Sequence, residues 1–297
     1  MSYIVDNAII MAAGLSTRFA PLSYELPKSL ISVKGDVLIE RQIQQLQEVG
    51  INSIYIIVGY QAYKFKYLEY KYNVKLIYNP EYSNRNNYYS LYLAKDFIRN
   101  SYICCADNYF IKNPFELVVE EAYYSAIYVN NETKEWCISE DKDGYINKIN
   151  IGGKDSWIMI GNAFFSEKFS KDFFDILIQE IDNVEMHHKL WEQIYAENLD
   201  KLKMKIKKYP SHYIYEFDTL DELRVFDSTY IENSRSSIIK EICEKLSCKE
   251  SLLSEFMPIK DKHTNNSIGF SFVYLHREYT FLYESKVLEE KNLKLHY

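Results

Sequence analysis

The stretch from Ala8 to Lys28, AIIMAAGLSTRFAPLSYELPK, narrows the folds open to this chain more than any other. The apolar run Ala8 to Met11 suits a buried parallel strand, and it stops at Ala12-Ala13-Gly14, where little or no side chain blocks an approaching ligand. Backbone N–H groups are exposed there. Ser16 and Thr17 are small and polar, and Arg18 is a permanently charged fork that can grip phosphate oxygens through two hydrogen bonds. Pro21 and Pro27 stiffen a loop that returns Lys28 toward the same place. Together these residues describe a cradle for a triphosphate. A strand followed by glycine commonly makes only a turn, but the spacing A-A-G-x-x-x-R with a following P-K demands more. It is neither the GK[ST] of a P-loop nor the G-x-G-x-x-G of a dinucleotide fold.

Beyond Lys28 the pattern predicts a short strand over 29–33, a turn at Lys34-Gly35-Asp36, and a helix whose apolar positions are Leu38, Ile39, Ile43, Leu46 and Val49, closed by Gly50. Strands are expected over 54–58 and 74–78, with a helix over 63–72 between them. This β-α-β-α-β rhythm predicts a Rossmann-like sheet with its ligand at the carboxyl ends of the strands.

Tyr102 to Ala106 reads as a further buried strand ending in Asp107-Asn108. A carboxylate at that end of a central strand is placed to hold Mg²⁺, which takes one or two carboxylates plus phosphate oxygens; the alternative is that Asp107 caps the next turn. Glu216 and Asp218 lie two apart, on one face if extended, and a charge-patterned surface strand would carry the same residues. In YSNRNNYYSLYL (82–93), Asn87 and Ser90 read either as helix caps or as ligand contacts. Residues 124–165 read as antiparallel hairpins with a turn at Asp143-Gly144, an inserted sheet. Trp136 lies within it, and Trp191 and Glu192 lie on a helix around 187–198. Buried tryptophans are commonly packing residues, yet two rings beside Glu192 and Glu216 would also suit a quaternary ammonium.

Over residues 3–228 the chain resembles the bacterial CTP:phosphocholine cytidylyltransferases. The likeness rests on A-A-G-x-x-x-R with P-K, on N-N-x-x-S-L-Y-L, on A-D-N, on T-K-E-W against the family's T-N-E-W, and on Y-E-x-D. Where those enzymes carry a second glycine, this chain has Ser16. The resemblance implies an enzyme with the nucleotidyltransferase fold: α/β, a mostly parallel sheet and an inserted antiparallel sheet. It implies transfer of CMP from CTP to phosphocholine by direct displacement. Ala12, Ala13, Gly14, Ser16, Thr17, Arg18, Asn87, Ser90 and Ala106 would bind the nucleotide, and Lys28, Arg18 and Asp107 would act on the phosphates. Asp107 and Asp218 would hold Mg²⁺, and Trp136, Trp191, Glu192 and Glu216 would bind the acceptor. Alternatives are another acceptor (2-aminoethylphosphonate, phosphoethanolamine or a sugar phosphate) or a non-catalytic nucleotide-binding scaffold.

The cytidylyltransferase domain is expected over 1–230, with a small α+β appendage over 231–297: an amphipathic helix (Ile238, Ile239, Ile242, Leu246) and a hairpin. Its P-I-K-D-K-H-T-N-N-S resembles the start of a choline-kinase-type N-lobe, with Asp261 and Lys262 where that loop has glycines. The expectation is a vestigial fragment or a dimerisation module, dispensable for transfer, with a homodimer left open. A net charge of −7 without a basic stripe argues against nucleic acid. Five cysteines show no ligand spacing and read as reduced core thiols. Without a leader or membrane-length apolar run, the expected location is the cytoplasm, with no membrane insertion.

Overall fold

The computed structural model describes residues 2–261 and 266–291. Its contacts divide the chain into two compact units, Met1–Gly14 with Leu38–Glu216, and Leu15–Val37 with Phe217–Tyr297.

The first unit is built on a sheet of seven strands. β1 (Asn7–Ala12), β2 (Ile54–Val58), β3 (Lys75–Tyr78) and β4 (Ser101–Cys105) run parallel in the order β4-β1-β2-β3. β1 has neighbours on both sides, Ile10 lying opposite Ile56 and Cys104. That explains why Ala8, Ile9 and Ile10 form a continuous apolar run: all three are fully buried. α1 (Leu38–Glu48) leads into β2 and ends before Gly50, whose φ of +90° is the left-handed turn a helix C-terminus needs. The expected helix over 63–72 is a 3-10 turn, Ala62–Phe65, followed by α2 (Tyr67–Tyr72). α3 (Asn87–Leu93) precedes β4.

The expected hairpins of 124–165 are one long ribbon, β5 (Tyr123–Glu140) against β6 (Ile146–Phe165). Asp143-Gly144 does make its turn, but the inner positions that read as further turns are irregularities within the strands. Asn131 at φ +69°, Gly152 at +76° and Asp155 at +48° accompany shifts of register, so pairing continues past them. β6 joins the sheet antiparallel to β4, and β7 (Lys205–Tyr209) adds parallel to β5, giving β7-β5-β6-β4-β1-β2-β3. α4 (Glu167–Glu180) starts at Ser166, whose hydroxyl accepts the Phe169 N–H, and it packs Phe169 and Phe173 onto Phe165. α5 (Trp191–Ala196) is shorter than expected, because a 3-10 turn, Val184–His188, occupies the approach.

The second unit joins segments far apart in sequence. Residues 15–37 form a 3-10 turn (Thr17–Phe19), a one-turn helix (Leu22–Glu25), a second 3-10 turn (Lys28–Leu30) and a small strand pair, Ser32–Val33 with Asp36–Val37. The strand expected over 29–33 is therefore mostly a turn: Leu30 N–H donates to Pro27 C=O and Ile31 N–H to Lys28 C=O. α6 (Leu220–Phe226) and α7 (Ser237–Leu246) precede a four-stranded antiparallel sheet, β8 (Leu253–Lys260), β9 (Ser267–Tyr274), β10 (Arg277–Leu282) and β11 (Leu288–Glu290). Phe256, Phe270, Phe272 and Phe281 form its aromatic core. The boundary expected at 230/231 falls inside this unit, since 217–230 groups with the C-terminal segment. Lys262 lies outside the described residues.

Candidate active site

In the first unit, Ala12 and Ala13 close β1 at 8% and 7% exposure. Gly14 beyond them is exposed, and a Cβ built there would meet no atom within 4 Å. The turn leaves the open space its small residues imply. At the end of β4, Ala106 N–H donates to Met11 C=O at 3.2 Å, and the half-buried Asp107 is next in the chain. The turn bearing Asp107 is pinned by Gln42 of α1, whose Nε2 donates to Cys105 C=O and Asn108 C=O, each at 2.9 Å. Sequence reasoning missed Gln42. Its signal was a polar residue among the apolar positions Ile39, Ile43 and Leu46, now seen to be fully buried. Gly161 was missed as well. Its φ is +68°, and a Cβ there would lie 2.8 Å from Cys105 Sγ, so only glycine lets β6 pass this turn.

Glu192, at the start of α5, is buried with its carboxylate held at both oxygens. Asn87 Nδ2 donates to Oε2 at 3.1 Å and the Tyr124 hydroxyl to Oε1 at 3.2 Å. Asn87 Oδ1 in turn accepts the Trp191 N–H at 2.8 Å, so its amide ties α3 to α5. Burial pushes the Glu192 carboxyl up to about 7, against the hydrogen bonds from Asn87, its own backbone N–H and Tyr124 that lower it. The Cys105 thiol is driven well above its ordinary range, first by burial and then by the charges of Asp107, Glu192 and Glu216. Those three carboxylates therefore share one neighbourhood, and this wall of the unit is acidic.

The remaining expected residues separate into contact surfaces and packing. Asn86, not Asn87 or Ser90, caps α3. Ser90 is 3% exposed and accepts a hydrogen bond from Asn79 Nδ2 at 3.2 Å, an internal bond of the fold. Trp191 is 1% exposed, stacked on Tyr124 at 5.5 Å and walled by Phe165 and Phe173, so its ring faces are taken by packing. Trp136 is half-buried on β5 and packs against the core of the first unit.

In the second unit, Ser16 has φ +48° and ψ +43°. That left-handed geometry is what a second glycine would supply without strain, and serine holds it at a cost of about 1 kcal/mol. Arg18, with its side chain 69% exposed, places Nη1 2.7 Å from Asp218 Oδ2. Lys28, only 5% exposed, places Nζ 3.5 Å from Asp218 Oδ1. The three motif residues are thus one cluster, two cations on opposite oxygens of one carboxylate. Asp218 precedes Thr219, which caps α6 by accepting the Glu222 N–H at 3.2 Å. Among the described residues no three His, Cys, Asp or Glu side chains gather closely enough to hold a metal ion alone. None of the described helices is long and apolar enough to cross a membrane.

A mixed, mostly parallel sheet with a small-residue turn after its first strand and an aspartate after its fourth is the architecture of an α/β nucleotidyltransferase. The family model described as nucleotidyl transferase matches residues 7–132. The choline-phosphate cytidylyltransferase of Streptococcus pneumoniae is 36% identical over 218 residues, 73% of this chain and 95% of that protein. The 2-aminoethylphosphonate cytidylyltransferase of Lancefieldella rimae is 34% identical over 234 residues, 77% of this chain and 95% of its own length. The solved structure of the CTP:phosphocholine cytidylyltransferase from Streptococcus pneumoniae aligns with TM-score 0.73 and 35% identity, over 76% of this chain and 99% of that one. The chain belongs to the nucleotidyltransferase family, and within it to the cytidylyltransferases; it is an enzyme.

Proposed function

We propose that the protein transfers CMP from CTP to phosphocholine, giving CDP-choline and pyrophosphate. The observation that carries this reading is Glu192: a buried carboxylate, oriented by Asn87 and Tyr124, on a wall shared with Asp107 and Glu216. Such a wall suits an acceptor that carries a cation beside its phosphate. Carboxylates can also accept hydrogen bonds from sugar hydroxyls, so the preference for a cationic acceptor over a sugar phosphate rests on charge attraction. Trp136, only half-buried, is the ring assigned to attract a trimethylammonium, a cation without hydrogen-bond donors.

An acceptor phosphate oxygen attacks the α-phosphorus of CTP; that P–O bond forms as the bond to the β-phosphate oxygen breaks, and pyrophosphate leaves. No side-chain nucleophile is needed. Arg18 and Lys28 neutralise the incoming and departing phosphates, and Ala12, Ala13, Gly14 and Thr17 leave room for the triphosphate. Asp107 and Asp218 offer hard carboxylate oxygens, the donor set that suits Mg²⁺ when phosphates complete its coordination. Asp218 is paired with Arg18 and Lys28 in the structure, and it would share its carboxylate with a metal when phosphate oxygens take up those two cations. Bound there, Mg²⁺ would supply charge neutralisation at the α-phosphate. The presence of Lys28, Asp107 and Asp218 together speaks against a scaffold that only binds nucleotide. The kinase-like reading of the C-terminal segment rests on its sequence, and its antiparallel sheet is compatible with it.

Pyrophosphate release from CTP, measured against phosphocholine, phosphoethanolamine, 2-aminoethylphosphonate and glucose 1-phosphate, tests the assignment. The expected order puts phosphocholine first. A higher kcat/KM with either primary amine would replace the acceptor, and one with the sugar phosphate would remove the cation site altogether.

Glu192 makes a second test. Its carboxyl ionises near neutrality only because burial disfavours the charge, so a bound cation should draw it back toward ionisation and release a proton. Acceptor affinity should therefore rise as pH climbs through about 7 and level off above it. The acceptor phosphate also titrates, near about pH 6, so the measurement is the difference between wild type and Glu192→Gln. Calorimetry in buffers of different ionisation enthalpy should find the extra proton release only in wild type. Asn87→Ala should weaken acceptor binding and leave CTP binding near normal; the reverse pattern would return Asn87 to the nucleotide.

A further inference from the structure

The segment beyond the enzyme-like region is built into the loop that carries Arg18 and Lys28. Glu25, between them in the sequence, reaches α7: its Oε1 accepts the Ser237 N–H at 2.9 Å and the Ser237 hydroxyl, and its Oε2 accepts the Ser236 hydroxyl. Ser236 Oγ accepts the Ile239 N–H at 3.1 Å, so Glu25 completes the N-terminal cap of a ten-residue helix, where a negative charge is favoured. Next to it, Tyr24 stacks on Tyr283 with ring centroids 3.7 Å apart and planes 11° apart. Farther along the same loop, Ser32 C=O accepts Arg235 Nη1 at 2.9 Å and the Tyr230 hydroxyl, and Lys34 N–H donates to Asp227 Oδ2 at 2.7 Å. The turn Thr17–Phe19, which bears Arg18, packs against β8.

Asp218 is anchored to the same segment. Arg224 of α6 is 9% exposed, and its guanidinium donates to the C=O groups of Tyr230, Glu250 and Leu253 while lying 5.5 Å from the Phe256 ring. The guanidinium also pairs with Asp221 of the same helix at 3.3 Å, and its three carbonyl partners fix α6 to the C-terminal segment, because withdrawing them leaves a buried cation with most of its donors unmet. Both pieces of the Arg18-Lys28-Asp218 cluster therefore hang on the segment from Tyr230 onward. The Streptococcus pneumoniae relative aligns over 95% of its own length with 73% of this chain, so about a quarter of this chain has no counterpart there.

We propose that the module formed by α7 and the β8–β11 sheet is a positioning element for the phosphate-binding cluster, with Glu25 as the residue that couples the two. The inference rests on the nucleotide reading of Arg18, Lys28 and Asp218. It reverses the expectation that the C-terminal segment is dispensable. A chain ending near Tyr230 would lose Arg235, Ser236, Ser237 and Tyr283, four of the residues that hold the loop.

The test compares full-length wild type with Glu25→Ala and, as a variant that leaves the cap intact, Tyr283→Leu. CTP binding with Mg²⁺ is measured by calorimetry, KM values for both substrates by pyrophosphate release, and backbone hydrogen exchange along the chain. The expected result in both variants is CTP affinity lowered about tenfold, acceptor KM within about twofold of wild type, and faster exchange across 15–37. Faster exchange confined to 237–246 with unchanged CTP affinity would overturn the proposal, since the cap would then serve only its own helix. If wild type bound no CTP, the nucleotide reading would fail, while exchange across 15–37 in the variants would still decide the coupling. Should Glu25→Ala fail to fold, Tyr283→Leu carries the same comparison.

Discussion

Replacing Lys28 with methionine is expected to lower turnover about a hundredfold or more, equivalent to roughly 2.7 kcal/mol of transition-state stabilisation. The size comes from where the ammonium sits. At 5% exposure it acts through little intervening water, so its charge is only weakly screened, and its stem lies beside Phe19 with Nζ 5.9 Å from the ring centroid. Methionine keeps the stem and removes the charge, and Arg18 still pairs with Asp218, so the fold should persist. Arg18→Ala should cost less, because the Arg18 side chain is 69% exposed and water already screens it. Single-turnover kinetics with saturating CTP would check both. Turnover of Lys28→Met within about fivefold of wild type would remove Lys28 from the chemistry.

Asp107→Asn and Asp218→Asn should each abolish measurable turnover while the proteins stay folded, since a neutral amide is a poor ligand for a hard dication. The two variants should differ in one respect. Asp107 belongs to the acidic wall around Cys105, so its loss also lowers the negative charge there. Asp218 holds Arg18 and Lys28, so its loss releases two cations toward incoming phosphate. CTP binding measured without Mg²⁺ should therefore strengthen in Asp218→Asn and stay near wild type in Asp107→Asn. Addition of Mg²⁺ should then improve binding in wild type alone. Near-normal turnover of both variants at limiting Mg²⁺ would sink the metal assignment.

What could be read from the residues divides along physical lines. β1 was legible because a strand buried on both faces must be continuously apolar, and Gly50 because a helix end needs a left-handed turn. Arg18 and Lys28 were legible as a phosphate-loop motif, whereas Asp218 reads with Asp107 as a metal ligand, and its ion pairs with Arg18 and Lys28 emerge only from the structure. Trp191 was not: a helical position shows that a ring is buried or exposed only once its neighbours are known, and Tyr124, Phe165 and Phe173 come from other elements. Asn87 reads as a cap from its place before an apolar helix, and its bond to Glu192 spans 105 residues of sequence. The ribbon's continuity was not legible, because register shifts near Asn131 and Gly152 interrupt the strand pattern without ending the pairing. The union of 15–37 with the C-terminal segment leaves almost no local trace, since Glu25 and Ser236 are ordinary polar residues until they are brought together.

The second unit has a consequence for how the molecule comes into being. Its two pieces are separated in the chain by all of Leu38–Glu216, which folds into the other unit. Loop closure across so long an interval brings no reward until both ends exist, so contacts such as Glu25 with Ser236 are among the last to form. During synthesis the sheet of the first unit can be complete while the segment bearing Arg18 and Lys28 still waits for Phe217–Tyr297 to emerge. The carboxylates around Cys105 would then be in place before Arg18 and Lys28 are fixed. Competence for transfer arrives as the closing step of assembly, and a chain interrupted after Glu216 would carry a finished sheet with an unfastened loop.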